Sequence, residues 1–151
     1  METVRTDEVN EMISGRDIIC FANDWDSDPL SKKHFVLRLA KRNRVLWVNS
    51  IGTRNPQVSA RDFRRVAEKL KKFAGGCEHR AEKLFLFSPL AIPFHGNRAA
   101  QRINRHWLAW SIRRVCRQLG FQHPITWSFL PTSADVVGWL GEDFIIVSLC
   151  R

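Results

Sequence analysis

DIICFA, at residues 17–22, is a mostly apolar run without the polar–apolar alternation of a half-exposed strand. Such a run is typical of a strand that is buried on both faces, as in a parallel sheet. Asp28 and Pro29 follow shortly afterwards and mark a helix start, because proline suits the first helical turn. We therefore predict a strand at 17–22, a polar loop, and a helix over about 29–42. The apolar residues that this helix should bury are Phe35, Val36, Leu39 and Ala40.

The same alternation of strand and helix continues along the chain. Four further apolar runs predict strands at 45–49, 84–87, 125–129 and 144–149. Helical spacing predicts helices over about 59–73, 98–119 and 134–140. Strands that alternate with helices pair in parallel through right-handed crossovers. We predict one Rossmann-like, doubly wound α/β domain over 17–151, with about five strands in the order 3-2-1-4-5 and a flexible lead-in at 1–16.

Composition limits the class of protein. The chain has 151 residues, 44% hydrophobic and 26% charged, which suits one globular domain with its own core. No apolar stretch is long enough to cross a membrane, and the amino-terminal segment lacks the apolar core of a signal peptide. The net charge of +9 suits nucleic acid, an anionic membrane or a phosphorylated ligand. The alternating pattern matches no nucleic-acid-binding module, so we expect no nucleic-acid partner.

Cysteine and histidine spacing predicts no metal site. The four cysteines are far apart and form no C-x-x-C pair, and the five histidines are scattered. We interpret the cysteines as small apolar residues of a protein in a reducing compartment.

The loop after the first predicted strand holds the main candidate site. Asp24, Asp26 and Asp28 surround Trp25, and the loop has no glycine. Dinucleotide cofactors require a glycine-rich turn here, and carboxylates repel phosphate, so we expect no such cofactor. Carboxylates beside an aromatic ring suit a polyhydroxylated ligand, and a carboxylate can act as a general base. Asp24 and Asp26 are the catalytic candidates, with Asn23 and Trp25 as substrate-binding residues. The alternative is that Asp28 caps the helix and the other two carboxylates are merely solvated.

A second candidate lies in the loop after the third predicted strand. His95 and Gly96 belong to the segment 88–97, which contains two prolines. Ligands of open parallel sheets bind at the carboxyl ends of the strands, where this loop also lies. His95 could exchange a proton or donate to a sugar oxygen, with Gly96 beside it. The alternative is a surface histidine in a proline-rich turn.

The predicted helix 98–119 has more apolar surface than one contact with the sheet requires. Leu108, Ile112, Val115 and Leu119 form one stripe, which should pack on the sheet. A second patch on another side comprises Ile103, Trp107 and Trp110. Arginines also crowd this helix; those within about a third of its circumference are Arg98, Arg102, Arg105, Arg113 and Arg117. The second patch could pack against a neighbouring helix, or the basic helix could dock on an anionic membrane.

Several of these segments resemble bacterial glycosyltransferases of the GT-B fold. The segment IICFANDWDSDPLSK at 18–32 resembles the start of such enzymes, in particular the group that builds cell-surface polysaccharides, including the teichuronic-acid type. Further similarity lies in VLWVN at 45–49, in SPL at 88–90 with PFHG at 93–96, and in Asn104-Arg105. Together these segments cover roughly residues 17–140.

The resemblance implies one half of a two-domain enzyme. In that family the amino-terminal domain holds the acceptor, the carboxyl-terminal domain binds the nucleotide-sugar donor, and no divalent metal is normally required. The chain ends shortly after the fifth predicted strand, so the resemblance implies that the donor-binding domain is missing and that this half is inactive alone. The implied partners are a glycan or lipid-linked acceptor and the missing domain. The implied location is cytoplasmic, with possible peripheral contact at the inner face of the plasma membrane. The alternative function is a non-catalytic Rossmann-like binding or interaction domain.

Overall fold

A six-stranded sheet organises the chain in a computed structural model, which describes residues 13–26, 30–49, 68, 76–89 and 98–148. The strands are β1 (Asp17–Phe21), β2 (Arg44–Val48), β3 (Glu78–Ala81), β4 (Leu84–Phe87), β5 (Ile125–Ser128) and β6 (Phe144–Val147). Helix α1 (Leu30–Ala40) follows β1, and helix α2 (Arg98–Gln118) follows β4. A 3-10 helix (Pro131–Asp135) lies between β5 and β6.

The strand order is β3-β4-β2-β1-β5-β6. Every neighbouring pair is parallel except β3 and β4, which are antiparallel. Apart from the added edge strand β3, this is the order predicted from the sequence. The α/β, Rossmann-like, doubly wound fold is therefore confirmed, with six strands instead of about five.

The side-chain alternation of β1 explains why helices cover both faces of the sheet. Ile18 and Cys20 lie in one buried cluster with apolar residues of α1. Ile19 and Phe21 point the other way and lie in a second cluster with apolar residues of α2. Each such large side chain contributes about 1.5–3 kcal/mol when it is fully buried, so an uninterrupted apolar run stabilises both layers.

The two helices use the apolar stripes that the sequence predicts. In α1 the buried residues are Val36, Leu39 and Ala40, with Phe35 packed against the same cluster. In α2 the stripe that faces the sheet includes Leu108, Ile112 and Val115, with Leu119 packed beside it. The predicted helix at 59–73 lies outside the described residues except for Glu68, which is helical.

Two local elements differ from the sequence prediction. Strand β3 was not predicted because its residues, EHRA at 78–81, are exposed and carry no apolar pattern; main-chain pairing with β4 holds it. The predicted helix at 134–140 is wrong, because the helical turn is a 3-10 helix that ends at Asp135. The Glu142 carboxylate accepts hydrogen bonds from the N–H groups of Gly138 and Leu140, at 2.5 and 2.8 Å, and so replaces helical partners for them.

The described end of the predicted lead-in is attached to the domain through Asn43. The buried Asn43 side chain donates to the carbonyl oxygen of Ile13, at 3.0 Å, and accepts from the N–H of Arg16, at 2.9 Å. Gly15 N–H also donates to the carbonyl oxygen of Arg42 at 2.9 Å. Residues 13–16 thus extend the ordered structure ahead of β1, and residues 1–12 lie outside the description.

Candidate functional site at the carboxyl edge of the sheet

A cavity of about 330 Å³ lies at the edge where β1, β2 and β4 end. Its volume is at the lower end of the range for small-molecule sites. Residues that follow these strands and side chains of β3 contribute to it. The lining residues are Asp26, Asn49, Gly76, Cys77, Glu78, Arg80, Leu86 and Ser88. The cavity therefore sits where ligands of open parallel sheets are expected to bind.

Asn49 connects three of the elements around this cavity. It follows β2 directly, and its main-chain N–H donates to the carbonyl oxygen of Phe87 at 2.9 Å. Its side-chain nitrogen donates to Ser88 Oγ at 2.8 Å, and its side-chain oxygen accepts from the N–H of Trp25 at 3.0 Å. One amide thus fixes the loop after β1 relative to the residue after β4, so the cavity wall is held in place before any ligand arrives.

Trp25 is half buried and packs against its own domain. Its ring meets the ring of Trp47 edge to face, with centroids 4.9 Å apart. Trp47 in turn donates its indole N–H to the carbonyl oxygen of Asn23 at 3.1 Å. The Lys33 ammonium lies 5.4 Å from the centroid of the Trp25 ring, within cation–π range. Trp25 therefore shapes the loop beside the cavity without lining it.

Three charged side chains meet at the mouth of the cavity. Arg80 on β3 lies 3.2 Å from a carboxylate oxygen of Glu78 and 3.9 Å from one of Asp26. Asp26 is largely exposed, so the second pair contributes little to stability, at most about 1 kcal/mol. Arg80 thus lies beside two carboxylates that line the cavity, those of Glu78 and Asp26. Asp24, two residues earlier, is exposed and does not line it.

Cys77 lines the same cavity but is not an activated nucleophile. Partial burial raises the pKa of its thiol, and a hydrogen bond with its own backbone lowers it by less. A raised pKa keeps the sulfur in the thiol form, which is the less reactive form. Hydrogen bonding is therefore the chemistry that this cavity offers, through the carboxylates, the Asn49 amide and the Ser88 hydroxyl.

Aromatic side chains pack together on the α1 face of the sheet, at β5 and just beyond its end. Phe35 of α1 lies against Trp127, with centroids 4.9 Å apart, and against Phe129, at 6.2 Å. Ser128, at the end of β5, shares a 2.5 Å hydrogen bond with Ser133 of the 3-10 helix. These contacts pack α1 and the 3-10 helix against β5 and the residue that follows it.

The structure thus separates the residues that the sequence grouped together. Of the predicted site residues, Asp26 lines the cavity, whereas Asn23, Asp24 and Trp25 lie beside it. His95 and Gly96 lie outside the described residues. The cavity residues that sequence reasoning missed are Asn49, Cys77, Glu78, Arg80 and Ser88. Asn49 and Ser88 each follow directly after a strand, and that position was the available signal; the polar strand β3 gave none.

The described residues also lack two features. Among the described residues, no group of three or more His, Cys, Asp or Glu side chains could hold a metal ion. Within the same part of the chain, no helix is long and apolar enough to cross a membrane.

Fold and cavity together define an α/β protein with a Rossmann-like sheet and a polar cavity at its carboxyl edge. No protein-family model, curated protein or solved structure matches this chain.

Proposed function

We propose that this chain is the amino-terminal, acceptor-side half of a GT-B-type glycosyltransferase. The complete enzyme would transfer sugar from a nucleotide-sugar to a cell-envelope or lipid-linked acceptor, as in polysaccharide biosynthesis. The observation that carries the proposal is the polar cavity at the carboxyl edge, with Asp26, Asn49 and Ser88 around it. These groups donate and accept hydrogen bonds in the way that sugar hydroxyls require.

Of Asp24 and Asp26, Asp26 is the better placed to contact an acceptor hydroxyl. It lines the cavity and faces Arg80, whereas Asp24 lies outside it. In the proposal Asp26 binds the acceptor and is the stronger candidate for the general base, with Asp24 the weaker one. Asn23 and Trp25 support the loop, and His95 and Gly96 remain candidates through the family resemblance alone.

In this proposal the donor is held by a second domain. The described part of the loop after β1, residues 22–26, contains no glycine and carries two carboxylates, which oppose the approach of a diphosphate. Transfer would then depend on positioning the two substrates and on stabilising the departing diphosphate. The proposal includes no metal or other cofactor and places the chain in the cytoplasm, in peripheral contact with the inner face of the plasma membrane.

Nitrogen–proton correlation spectra of the 151-residue chain test the acceptor site directly. The probes are methyl glycosides of glucose, N-acetylglucosamine and glucuronic acid, with uridine diphosphate as the comparison. We expect at least one glycoside to shift the signals of Asp26, Asn49 and Ser88, and uridine diphosphate to leave them unchanged. Shifts with uridine diphosphate only, or with none of the four probes, would overturn the proposal.

A matched pair of variants locates the binding carboxylate. Asp26→Asn should weaken the glycoside response several-fold, because a charge-assisted hydrogen bond is roughly twice as strong as a neutral one. Asp24→Asn removes the same charge two residues earlier in the loop, outside the cavity lining, and should change the response less. Equal losses in the two variants would show that only the overall charge of the loop matters.

The alternative is a non-catalytic Rossmann-like binding or interaction domain. The packing of Trp25 against Trp47 favours it, because this ring is already engaged within the domain. A transfer and donor-hydrolysis assay separates the functions when it is run on this chain alone and again with a separately produced second domain. We expect no turnover for a half-enzyme, and detectable turnover would defeat both the alternative and the assignment as an inactive half. An active enzyme upon addition of a separately produced second domain would exclude the alternative alone.

A further inference from the structure

The side of α2 that points away from the sheet carries large apolar side chains. Trp107 is 40% exposed, Trp110 45% and Ile103 56%. Leu108 and Ile112, on the opposite side of the helix, are buried against the sheet. Three arginines share the outward side with the exposed apolar residues. Together these six residues fall within about a third of the helix circumference and form what we call the outer face of α2: Ile103, Trp107, Trp110, Arg113, Arg114 and Arg117.

The aromatic residues of the outer face contact each other and a neighbouring arginine. The rings of Trp107 and Trp110 stack, with centroids 5.3 Å apart and planes 29° from parallel. The Arg114 guanidinium lies 5.6 Å from the centroid of the Trp110 ring. The two indoles and the cation therefore form one continuous exposed surface, in which apolar rings and positive charge lie side by side.

The charge of α2 has a single sign. Its sequence from Arg98 to Gln118 contains six arginines and no aspartate or glutamate. Among the described residues, the acidic side chain that pairs with an α2 arginine is Asp135, which lies 3.6 Å from Arg105, outside the outer face. A soluble helix normally mixes both signs on its solvent side, and this one presents only positive charge around its tryptophans.

We propose that the outer face of α2 docks on the surface of an anionic phospholipid bilayer. Indole rings settle at the level of the lipid headgroups, because one end of the ring is apolar and the other donates a hydrogen bond. Each arginine near an anionic leaflet contributes about 1 kcal/mol. A helix that lies in the interface in this way attaches reversibly and does not span the bilayer.

The fold gives this contact a consequence for the cavity. Because α2 connects β4 to the parallel strand β5, it runs along the sheet in the opposite direction to the strands. Docking through its outer face would lay the sheet roughly parallel to the bilayer, with the cavity at the rim of the docked molecule. Access of a lipid-linked acceptor to that cavity rests on the proposed function, whereas the docking itself does not.

Co-sedimentation of the 151-residue chain with lipid vesicles tests the proposal. The vesicles contain phosphatidylcholine alone or phosphatidylcholine with phosphatidylglycerol. We expect binding to the anionic vesicles, little binding to the neutral ones, and weakening as salt is added. No binding, or equal binding to both vesicles, would overturn the proposal. Because no sugar donor or acceptor is present, the result is independent of any transferase activity.

Two variants and one matched control assign the binding to the outer face. Neutralising Arg113, Arg114 and Arg117 to glutamine should weaken binding about 100-fold, if each contributes about 1 kcal/mol. Trp107→Ala with Trp110→Ala should weaken it at least about 10-fold through lost apolar contact. The control neutralises three exposed basic residues at the end of α1, on the other face of the sheet: Arg38, Lys41 and Arg42. Equal losses in the control and the arginine variant would overturn the assignment, since net charge alone would then explain binding.

Competition with duplex RNA tests whether the outer face binds nucleic acid instead of a lipid bilayer. Duplex RNA added to the vesicle mixture should not displace the chain at equal phosphate concentration. Displacement by RNA that also depends on Trp107 and Trp110 would show that the outer face serves nucleic acid and would overturn the bilayer proposal. Circular dichroism of every variant confirms that it is folded before its binding is compared.

Discussion

Arg44 and Asp17 form a two-point ion pair at the amino ends of β2 and β1, with nitrogen–oxygen distances of 2.7 and 2.9 Å. The same guanidinium donates to the carbonyl oxygens of Leu119 and Gly120, at 2.9 Å each, just beyond the end of α2. Asp17 also accepts from the N–H of Gln122 at 2.8 Å. One arginine thus joins two neighbouring strands to the end of the helix on the second face.

Replacing Arg44 should therefore cost more stability than replacing an exposed arginine. In Arg44→Met the side chain of Asp17, only 9% exposed, would lose its charge partner, and two carbonyl oxygens would lose a donor. We expect the free energy of unfolding to fall by about 2–3 kcal/mol, less than for a fully buried pair because Arg44 is partly exposed. Urea denaturation followed by circular dichroism measures it. The control Arg113→Met should stay within about 0.5 kcal/mol, and equal losses would contradict the proposed role.

Arg44 also shows where sequence reasoning reaches its limit. The strands and helices could be predicted because apolar runs and helical spacing are local signals, and parallel topology follows from their alternation. The contact of Arg44 with the end of α2 joins residues more than seventy positions apart in the chain. No local pattern encodes such a distance.

In the candidate site, too, some residues carry a local sequence signal and others do not. Asp26 could be found because it belongs to a loop of unusual composition after β1. Arg80 could not, because it lies on a strand held by main-chain pairing at the sheet edge, with no apolar pattern to reveal it. The position of Trp25 beside the cavity could not be predicted for a related reason: its contact with Trp47 depends on the pairing of β1 with β2, which composition does not specify.

Cys116 should be unreactive toward thiol reagents in the folded protein. Burial, together with a smaller effect from the negative charge of Asp17, raises the pKa of its thiol to about 12. Little thiolate then exists at pH 8, and the thiolate is the reactive species. Alkylation with iodoacetamide followed by peptide mass spectrometry should modify Cys77, which is partly exposed, before Cys116. Labelling of Cys116 at the faster rate without unfolding would show that the site is open.

The Cys116 thiol should also make the free energy of unfolding fall as pH rises. Its pKa is higher in the folded state than the ordinary value of 9.0, so the folded state holds the proton more tightly. The corresponding stability is fully present below pH 9 and is lost progressively as pH rises toward 12. The stability difference between the native chain and Cys116→Ala should therefore shrink over that interval. Urea denaturation of both proteins at several pH values measures this difference, and a constant difference would contradict the shift.

Asn49→Leu should damage the cavity and the stability together. The substitution keeps the approximate size of the side chain but leaves the N–H of Trp25 without its acceptor and Ser88 without its donor. We expect a loss of about 1–2 kcal/mol and of any glycoside response at Asp26. Gln118→Leu, an exposed amide at the end of α2, is the matched control and should alter neither. An unchanged glycoside response in a folded Asn49→Leu protein would show that the cavity does not depend on this amide.

Substitution by lysine should affect stability very differently at two neighbouring residues of β6. Ile146 packs against the core cluster on the α1 face, so Ile146→Lys would bury a charge or open the sheet and should cost several kcal/mol. Val147 is 63% exposed on the strand at the end of the sheet, so Val147→Lys should change stability by no more than about 0.5 kcal/mol. Because exposed apolar edge strands promote sheet-to-sheet association and lysine opposes it, Val147→Lys should also reduce aggregation, measured by light scattering at increasing concentration. If both lysines were tolerated equally, β6 would not be a fixed part of the sheet, and the register that pairs Trp127 with Ile146 would be wrong.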